Sequence, residues 1–413
     1  MEATGARRGA VRVSVFSTYF WPEQFGPAPY VTEPIRHLAD HGYEVDVWTG
    51  FPHYPAWRPL QRRLLADKSA LGSITVHRHF HYIPSSQSAA KRAVYEASLG
   101  LGALPSLLSR SPPDVVLGVT PTLSGALVAA GAARRFRAPL GLIVHDLMGN
   151  AAEQSGVAGG ANVAAVVRRV EWAVARRAER IGIIADGFRD YFASAGVPEE
   201  KIVRLRTWTL GGAGPDAARE STRSRLGWGA DESVFVHAGN MGQKQGLENV
   251  LAAAAILAAE PVRFVLAGDG NDRPQLEDRA RKLRLRNVLF LGNAPWGEYE
   301  ALLAAADVLL VNQRASVGDM SLPSKLTSYF AAGRPTIAAV APGSETAREV
   351  LGAEAGLVVP PDDPPALAAA LRRLAADPDL QEEIGSRARR FAEANLDRAV
   401  VLPQYEAFVR ALR

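Results

Sequence analysis

The sequence contains no cysteine. This absence excludes disulfide bonds, cysteine nucleophiles and thiolate metal sites, and it is compatible with a reducing compartment. The chain also lacks any apolar stretch of the roughly 18 residues that a membrane-spanning helix needs. Residues 1–12 contain no apolar core segment, so they do not form a signal peptide. We therefore expect the protein to stay in the cytoplasm.

The sequence also has little net charge, +4 at pH 7 for 413 residues. Its arginines are scattered rather than clustered with aromatic residues, which argues against a nucleic-acid partner. The small basic excess lies in the first part of the chain, where a solvated face is its simplest explanation. Peripheral contact with an anionic surface at the inner face of the membrane is left open.

The length of 413 residues exceeds the roughly 250 to 300 residues that a single hydrophobic core serves, so two domains are expected. Short continuous apolar runs alternate with longer helical segments, as in parallel sheets buried on both faces. The first series of predicted strands is 11–17, 44–49, 73–78, 115–119, 140–144 and 180–184. The second series is 233–238, 263–267, 288–291, 308–311, 336–339 and 356–359.

These two series predict an α/β protein with two doubly wound, Rossmann-like domains, each with a parallel sheet flanked by helices. We place an N-terminal Rossmann-like domain at residues 1–208 and a C-terminal Rossmann-like domain at residues 209–395. A C-terminal helix at residues 396–413 is expected to pack back on the N-terminal domain. The Gly-, Ala- and Arg-rich stretch 211–230 is interpreted as the connection.

Two loops of the second domain indicate an anionic ligand. In "HAGNMGQKQGLENVL" an apolar strand leads through Gly239 and Gly242 into a helix, with Lys244 beside them. Bare amides at the start of a helix are suited to phosphate, although such a turn often serves only tight packing. In "GDMSLPSKLTSYFAAGRP" we expect Ser324 to cap a helix whose first turn contains Lys325, a cation facing the positive end of the helix dipole. Two such loops favour a diphosphate over a single phosphate.

These motifs carry a family resemblance that spans almost the whole chain. The segments "GNMGQKQGLENV" and "LPSKLT", together with "GVTPTLSGAL", "HDLMGN", "AGDG" and "SETAREVLGAEAGLVVPPDD", resemble retaining glycosyltransferases of family four. That family has two facing Rossmann-like domains, the GT-B architecture. The resemblance implies that residues 1–208 form the acceptor-binding domain and residues 209–395 the nucleotide-sugar-binding domain. Within it, the subgroup of fucosamine and colanic-acid sugar transferases is the most similar.

The resemblance implies roles for particular residues. His145 approaches the transferred sugar, and Lys325 stabilises the charge that develops on the leaving diphosphate. The implied donor-binding residues are Gly26, Asn240, Gly242, Lys244, Gln245, Gly268, Gly292, Asn293, Asp319, Pro323, Ser324, Lys325, Thr327 and Glu349. No metal and no other cofactor are expected, because lysines and helix amides supply the positive charge.

This sequence departs from the family pattern at several of these positions. Relatives carry an arginine and a lysine where this chain has Asn240 and Gln245. Relatives also have two glutamates eight residues apart, where this chain has Met320 and Ser328. We therefore assign the sugar contact to the neighbouring Asp319, and the ribose contact to Thr327 or Ser328.

Aromatic side chains in proline-rich loops of the first domain suggest where the acceptor binds. The predicted acceptor-binding residues are Trp21, Phe25, Phe51 and Tyr54. The acceptor itself is expected to be a small molecule or a lipid-linked sugar.

Three alternatives were weighed against this interpretation. His77, His79 and His81 alternate along a strand as metal ligands would, but with no acidic partner nearby a polar strand edge is favoured. "AGDGND" begins like a dinucleotide fingerprint without its third glycine, which disfavours an oxidoreductase. A nucleotide-sugar epimerase or hydrolase of the same fold could use His145 and Asp146 as an acid/base pair.

The sequence thus predicts a metal-independent glycosyltransferase. It would move a sugar from a nucleotide sugar, foremost of UDP or GDP, to an acceptor with retention of anomeric configuration. The expected setting is surface-polysaccharide or antibiotic biosynthesis.

Overall fold

A computed structural model describes residues 10–24, 26–54, 56–62, 64–85, 88–149, 160–210, 217–293, 295, 297–316 and 324–413. The chain forms two compact units. Unit 1 comprises the residues up to Arg206 together with Val401–Arg413, and unit 2 comprises Thr207–Val400. Within the described ranges, no helix combines the length and the apolarity needed to cross a membrane.

Unit 1 is built on an eight-stranded sheet with the order β3-β4-β2-β1-β5-β6-β7-β8. Its strands are β1 (Arg12–Phe16), β2 (Glu44–Gly50), β3 (Ala66–Leu71), β4 (Ile74–His79), β5 (Val115–Val119), β6 (Leu140–Val144), β7 (Arg180–Ile183) and β8 (Ile202–Arg204). All neighbours are parallel except β3, which pairs antiparallel with β4 at the edge. Its helices are α1 (Ala28–Asp40), α2 (Ala89–Ala103), α3 (Leu123–Phe136), α4 (Gly160–Arg177), α5 (Phe188–Ala193) and α14 (Arg398–Arg410).

Unit 2 is built on a six-stranded, fully parallel sheet with the order β11-β10-β9-β12-β13-β14. Its strands are β9 (Ser233–Ala238), β10 (Val262–Ala267), β11 (Val288–Leu291), β12 (Val308–Asn312), β13 (Thr336–Ala339) and β14 (Gly356–Val359). Its helices are α6 (Ala217–Arg225), α7 (Glu248–Ile256), α8 (Arg273–Lys282), α9 (Glu298–Ala305), α10 (Lys325–Ala331), α11 (Glu345–Gly352), α12 (Pro364–Ala375) and α13 (Pro378–Asn395).

The strand order of unit 2 fixes where a ligand can bind. From β9 the chain adds β10 and then β11 on one side of the sheet. The next strand, β12, pairs with β9 on its other side. Loops that leave β9 and β12 therefore diverge to opposite faces, and they leave a crevice beyond the carboxyl ends of these two strands. Apolar side chains cover both faces of the sheet: Val234 and Val236 of β9 enter one core cluster, and Phe235 enters the other.

The structure confirms the predicted fold class, and all twelve predicted strands are present. Two strands were missed: β3, an edge strand with alternating exposure, and β8, which has three residues. The prediction that 211–230 is a connection is wrong for α6. Arg219 and Arg223 of this helix both bind Asp307, and this docks α6 on unit 2.

The chain returns to unit 1 at its C-terminal helix. Tyr405 of α14 donates its hydroxyl to the carbonyl of Arg206 at 3.2 Å. Gly141 of β6 leaves room for this helix, because a Cβ there would lie 2.9 Å from Phe408 Cε1. The interior strand β6 and the C-terminal helix are thus packed against each other.

We expect Gly356→Ala to destabilise unit 2, because a Cβ at Gly356 would lie 1.7 Å from the carbonyl oxygen of Thr336 on β13. Forcing these strands apart should lower the free energy of unfolding by about 1–3 kcal/mol, as measured by urea unfolding. Gly343→Ala is the matched control, since a Cβ there meets nothing within 4 Å. Equal stability of the two variants would contradict this account of the β13–β14 contact.

Candidate active site

The loop that follows β9 begins with a glycine that no other residue could replace without strain. Gly239 has a φ of +131°, and its amide donates to the carbonyl of Ala267 at 2.8 Å. Its neighbour after β10, Gly268, approaches so closely that a Cβ there would lie 1.9 Å from Gly239 O. The β9 and β10 loops therefore pack backbone against backbone, which fixes the shape of the crevice.

Along the β9 loop, backbone amides that donate a hydrogen bond alternate with amides that do not. Met241 donates to the carbonyl of Asp269 at 2.8 Å, as Gly239 does to Ala267. The intervening amides of Asn240 and Gly242 have no hydrogen-bond partner among the described residues. Two unused amide donors on either side of Met241, with the exposed Lys244 nearby in the sequence, are suited to binding an anionic oxygen.

Lys325 approaches the β9 loop from the start of α10. It is the first residue of α10, and its Nζ lies 3.4 Å from Nε2 of His237 on β9. A Cβ at Gly239 would lie 3.4 Å from Lys325 Nζ, so this lysine ends directly beneath the glycine loop. Four residues later, the buried Tyr329 accepts a hydrogen bond from the amide of Ala238 at 2.9 Å, which anchors α10 to the end of β9.

Lys325 and His237 have unusual electrostatics. Lys325 is half-buried, and no carboxylate pairs with it in the part of the chain that the structure describes. Burial lowers the pKa of Lys325 to about 7. Burial, and next the charge of Lys325, holds the pKa of His237 well below its ordinary value. A neutral His237 therefore faces a lysine that is only partly protonated near neutral pH.

Two side chains at the end of β12 hold the β9 loop in place. Asn312, which is 1% exposed, donates from Nδ2 to the carbonyls of Gln245 and Gly246 at 2.6 and 2.9 Å. Arg314 donates from Nε to the carbonyl of Gln243 at 2.7 Å. The sequence reasoning missed Asn312, Arg314 and His237. The available signal was a polar residue within or just after an otherwise apolar strand.

The other predicted donor residues of unit 2 differ in their exposure. Gly292 and Asn293 are exposed after β11, Gln245 is half-buried in the β9 loop, and Glu349 of α11 is 8% exposed. Gly268 is buried in the loop contact already described. Asp319 and Pro323 lie outside the described residues.

Two expectations at the start of α10 need correction. Ser324 makes no capping hydrogen bond, because its backbone is already helical, with a φ of −57°. Thr327 is 2% exposed and donates its hydroxyl to Ser324 O at 2.8 Å, so the structure gives this hydroxyl a helical contact instead of a ligand. Ser328 is half-buried beside it.

In unit 1, His145 directly follows β6. It is 6% exposed, and its Nε2 has no hydrogen-bond partner among the described residues. Burial lowers the pKa of His145 to about 4, so its imidazole is neutral at physiological pH. Its amide donates to Thr120 Oγ1 at 3.2 Å, which ties it to the end of β5.

The predicted acceptor residues are only partly suited to that task. Trp21 is 41% exposed and Tyr54 is half-buried, and the ring of Tyr54 packs against Gly26, where a Cβ would lie 2.7 Å from Tyr54 Cε1. Phe51 is 2% exposed, so its assignment to the acceptor site is wrong: the side chain belongs to the core. Phe25 lies outside the described residues.

A buried carboxylate that sequence reasoning missed shapes this loop. Glu23 accepts the amides of His53 and Tyr54 at Oε1, at 2.7 and 2.8 Å. Burial raises the pKa of Glu23. Burial, then the charges of Asp146 and Glu23, raises the pKa of the Tyr54 hydroxyl. The charge of Asp146, in the loop after β6, thus acts on Tyr54, in the loop after β2.

The three alternating histidines do not form a metal site among the described residues. His77 binds Asp46 Oδ1 at 2.8 Å and stacks on Trp48. His79 packs against Gly102, where a Cβ would lie 2.3 Å from its Cδ2. His81 is fully buried beside Tyr95. The expectation that no acidic partner lies nearby is wrong, because Asp46 binds His77, but the contacts of all three histidines support structural roles.

Comparison with known proteins identifies the family. The model described as "Glycosyl transferase 4-like domain" matches residues 25–208, and "Glycosyl transferases group 1" matches residues 218–391. The putative colanic acid biosynthesis glycosyl transferase WcaI of Escherichia coli K12 is 29% identical over 406 residues. That alignment covers 96% of this chain and 98% of WcaI.

Solved structures show the same architecture. Sucrose-phosphate synthase from Thermosynechococcus elongatus has a TM-score of 0.76 at 19% identity, covering 97% of this chain and 99% of that one. HepE of Anabaena, solved in complex with UDP-glucose, has a TM-score of 0.67 at 18% identity with the same coverage. These structural matches confirm the GT-B fold. Both family models describe glycosyl transferases, not an epimerase or hydrolase. The chain therefore belongs to the group 1 glycosyltransferases, with a glycosyl transferase 4-like domain in its N-terminal half.

Proposed function

We propose that this glycosyltransferase uses a nucleoside diphosphate sugar, and that unit 2 binds the diphosphate with Lys325 and the free amides of Asn240 and Gly242. The observation that carries this proposal is the half-buried lysine without a carboxylate partner among the described residues. Burying a cation is unfavourable unless an anion compensates it. A donor diphosphate would provide that anion, and the adjacent amides would bind its remaining oxygens.

The same charges would promote the reaction. When the bond between sugar and phosphate breaks, negative charge grows on the diphosphate, and Lys325 would stabilise it where it develops. His145 remains neutral at physiological pH, so it can contact the transferred sugar without adding a competing charge. We further propose retention of configuration, with a phosphate oxygen taking the acceptor proton and with no metal required. The family resemblance supports this part.

The donor and the acceptor are proposed by analogy. HepE has been solved with UDP-glucose, which favours UDP as the first nucleotide to test, with GDP second. WcaI is named for colanic acid biosynthesis, which favours a surface-polysaccharide acceptor over an antibiotic precursor. We propose that Trp21 and Tyr54 contact this acceptor. A cytoplasmic location, with or without peripheral membrane contact, stays a prediction from the sequence.

Lys325→Met should abolish stabilisation by the donor nucleotide. In a thermal-shift panel of UDP, GDP, dTDP and ADP, wild type should respond to one of them, since about 100 times the dissociation constant adds roughly 2.7 kcal/mol. The unliganded Lys325→Met protein should be no less stable than wild type, because the variant removes a cation that burial disfavours. Lys282→Met, at an exposed lysine of α8, is the control that keeps the response. A full nucleotide response in Lys325→Met would refute the assignment.

Donor affinity should weaken as the pH rises through about 7, the pKa of unliganded Lys325. Above that pH the lysine must take up a proton when the diphosphate binds. Calorimetry of an intact nucleotide sugar in buffers of different ionisation enthalpy should therefore show proton uptake near pH 8. An intact donor is needed because the terminal phosphate of a free nucleotide titrates itself, with a pKa of about 6. Lys325→Arg should bind without proton uptake, and wild-type binding that is independent of pH would count against the proposal.

His145→Ala should lower kcat by about 100-fold or more while it leaves the affinity of unit 2 for the nucleotide unchanged. Because the pKa of His145 is about 4, wild-type kcat should not titrate through this residue between pH 5.5 and 8. Steady-state kinetics, together with nucleotide binding by calorimetry, separate the two effects. Loss of nucleotide affinity equal to the loss of kcat would indicate a damaged fold instead.

A further inference from the structure

Two histidines and a glutamate of unit 1 converge away from the residues discussed so far. His37 lies in the last turn of α1, His41 caps that helix, and Glu406 lies on α14. One ligand atom from each of the three residues lies within 4.8 Å of the other two. His37 Nε2 lies 3.6 Å from Glu406 Oε2.

The distance between these atoms is suited to a shared metal ion. A tetrahedral zinc ion with bonds of about 2.0–2.1 Å holds its nitrogen and oxygen ligands roughly 3.3 Å apart. His37 and Glu406 are already near that separation, and a ligand atom of the exposed His41 lies within 4.8 Å of theirs. The two histidines are four positions apart in the sequence, which places them on one face of the helix end.

His37 carries a second, independent sign of a missing ligand. Its Nε2 is buried and has no hydrogen-bond partner among the described residues. At 3.6 Å the carboxylate of Glu406 is too far away to be a hydrogen-bond acceptor. A buried ring nitrogen without a partner is costly, and a metal ion would use its lone pair.

The groups around the cluster orient the other two ligands. His41 Nδ1 donates to the carbonyl of His37 at 2.7 Å, which leaves the lone pair on Nε2. Arg410 donates to Glu406 Oε1 at 2.5 Å, which leaves Oε2 toward His37. Metal-binding histidines and carboxylates are typically held in this way by an outer layer of hydrogen bonds. The C-terminal end of α1, with Asp40 beside it, adds negative potential that favours a cation.

We propose that His37, His41 and Glu406 bind a divalent transition-metal ion of the zinc type, with water completing the coordination. Two imidazoles and one carboxylate suit zinc, whereas magnesium and calcium prefer oxygen ligands. The ion would fasten α14 to α1 within unit 1. It would have a structural role there and take no part in sugar transfer, so this proposal does not depend on the proposed function.

The test uses the full chain without a polyhistidine tag, freed of metal by a chelator. Calorimetry should show one equivalent of Zn²⁺ bound per chain, and Co²⁺ should give the visible absorption bands of a site with nitrogen ligands. His41→Ala and Glu406→Gln each remove or weaken a direct ligand, so each should weaken Zn²⁺ binding by more than the roughly 10–100-fold that loss of an outer-shell partner costs. Zn²⁺ should raise the unfolding temperature of wild type and not that of these variants.

Glu383→Gln is the matched control, because Glu383 forms the same type of helical ion pair with Arg387 that Glu406 forms with Arg410. This control should bind Zn²⁺ as wild type does. The proposal is overturned if wild type shows no saturable Zn²⁺ binding. It is also overturned if His41→Ala and Glu406→Gln bind the ion as tightly as wild type.

Discussion

Unit 2 of this enzyme depends on the burial of one basic side chain, Lys325, whose Nζ lies 3.4 Å from Nε2 of the neutral, buried His237. A lysine in such a position would ordinarily be neutralised or replaced, since burial without a counter-charge opposes its ionised form. Here the surrounding structure holds it: Tyr329 anchors its helix to β9, and Gly239 leaves the space it occupies. Under the proposed function, this arrangement costs the empty protein some stability and provides a site already shaped for an anion.

The β9 loop, which adjoins Lys325, is also held in a fixed shape. The side chains of Met241 and Leu247 in the β9 loop are buried in the core. Contacts from outside the loop also fix its shape: the side-chain amide of Asn312, Arg314 and the close approach of Gly268. Donors fixed in this way need little reorganisation when charge develops on a leaving group, which is the condition for electrostatic catalysis.

Much of this could be predicted from the sequence, for identifiable reasons. Buried parallel strands are continuous apolar runs, so β5, β6 and β9 were located at their observed bounds. The helix α6 was missed because "AARESTRSR" has the composition of a linker, and only its ion pairs with Asp307 reveal why it folds. Lys325 could be found because its charge conflicts with its local setting. His237 and Phe51 could not be placed correctly, because their roles depend on contacts across distant parts of the chain.

The position of α14 has a consequence for how the polypeptide is made. Unit 2 is one uninterrupted segment, whereas unit 1 is divided between the beginning of the chain and Val401–Arg413. On the ribosome, the larger part of unit 1 emerges first but must wait, with the surface beside Gly141 uncovered, until the last helix is synthesised. Domains usually fold in the order in which they emerge. In this chain the second unit can complete its fold before the first one closes.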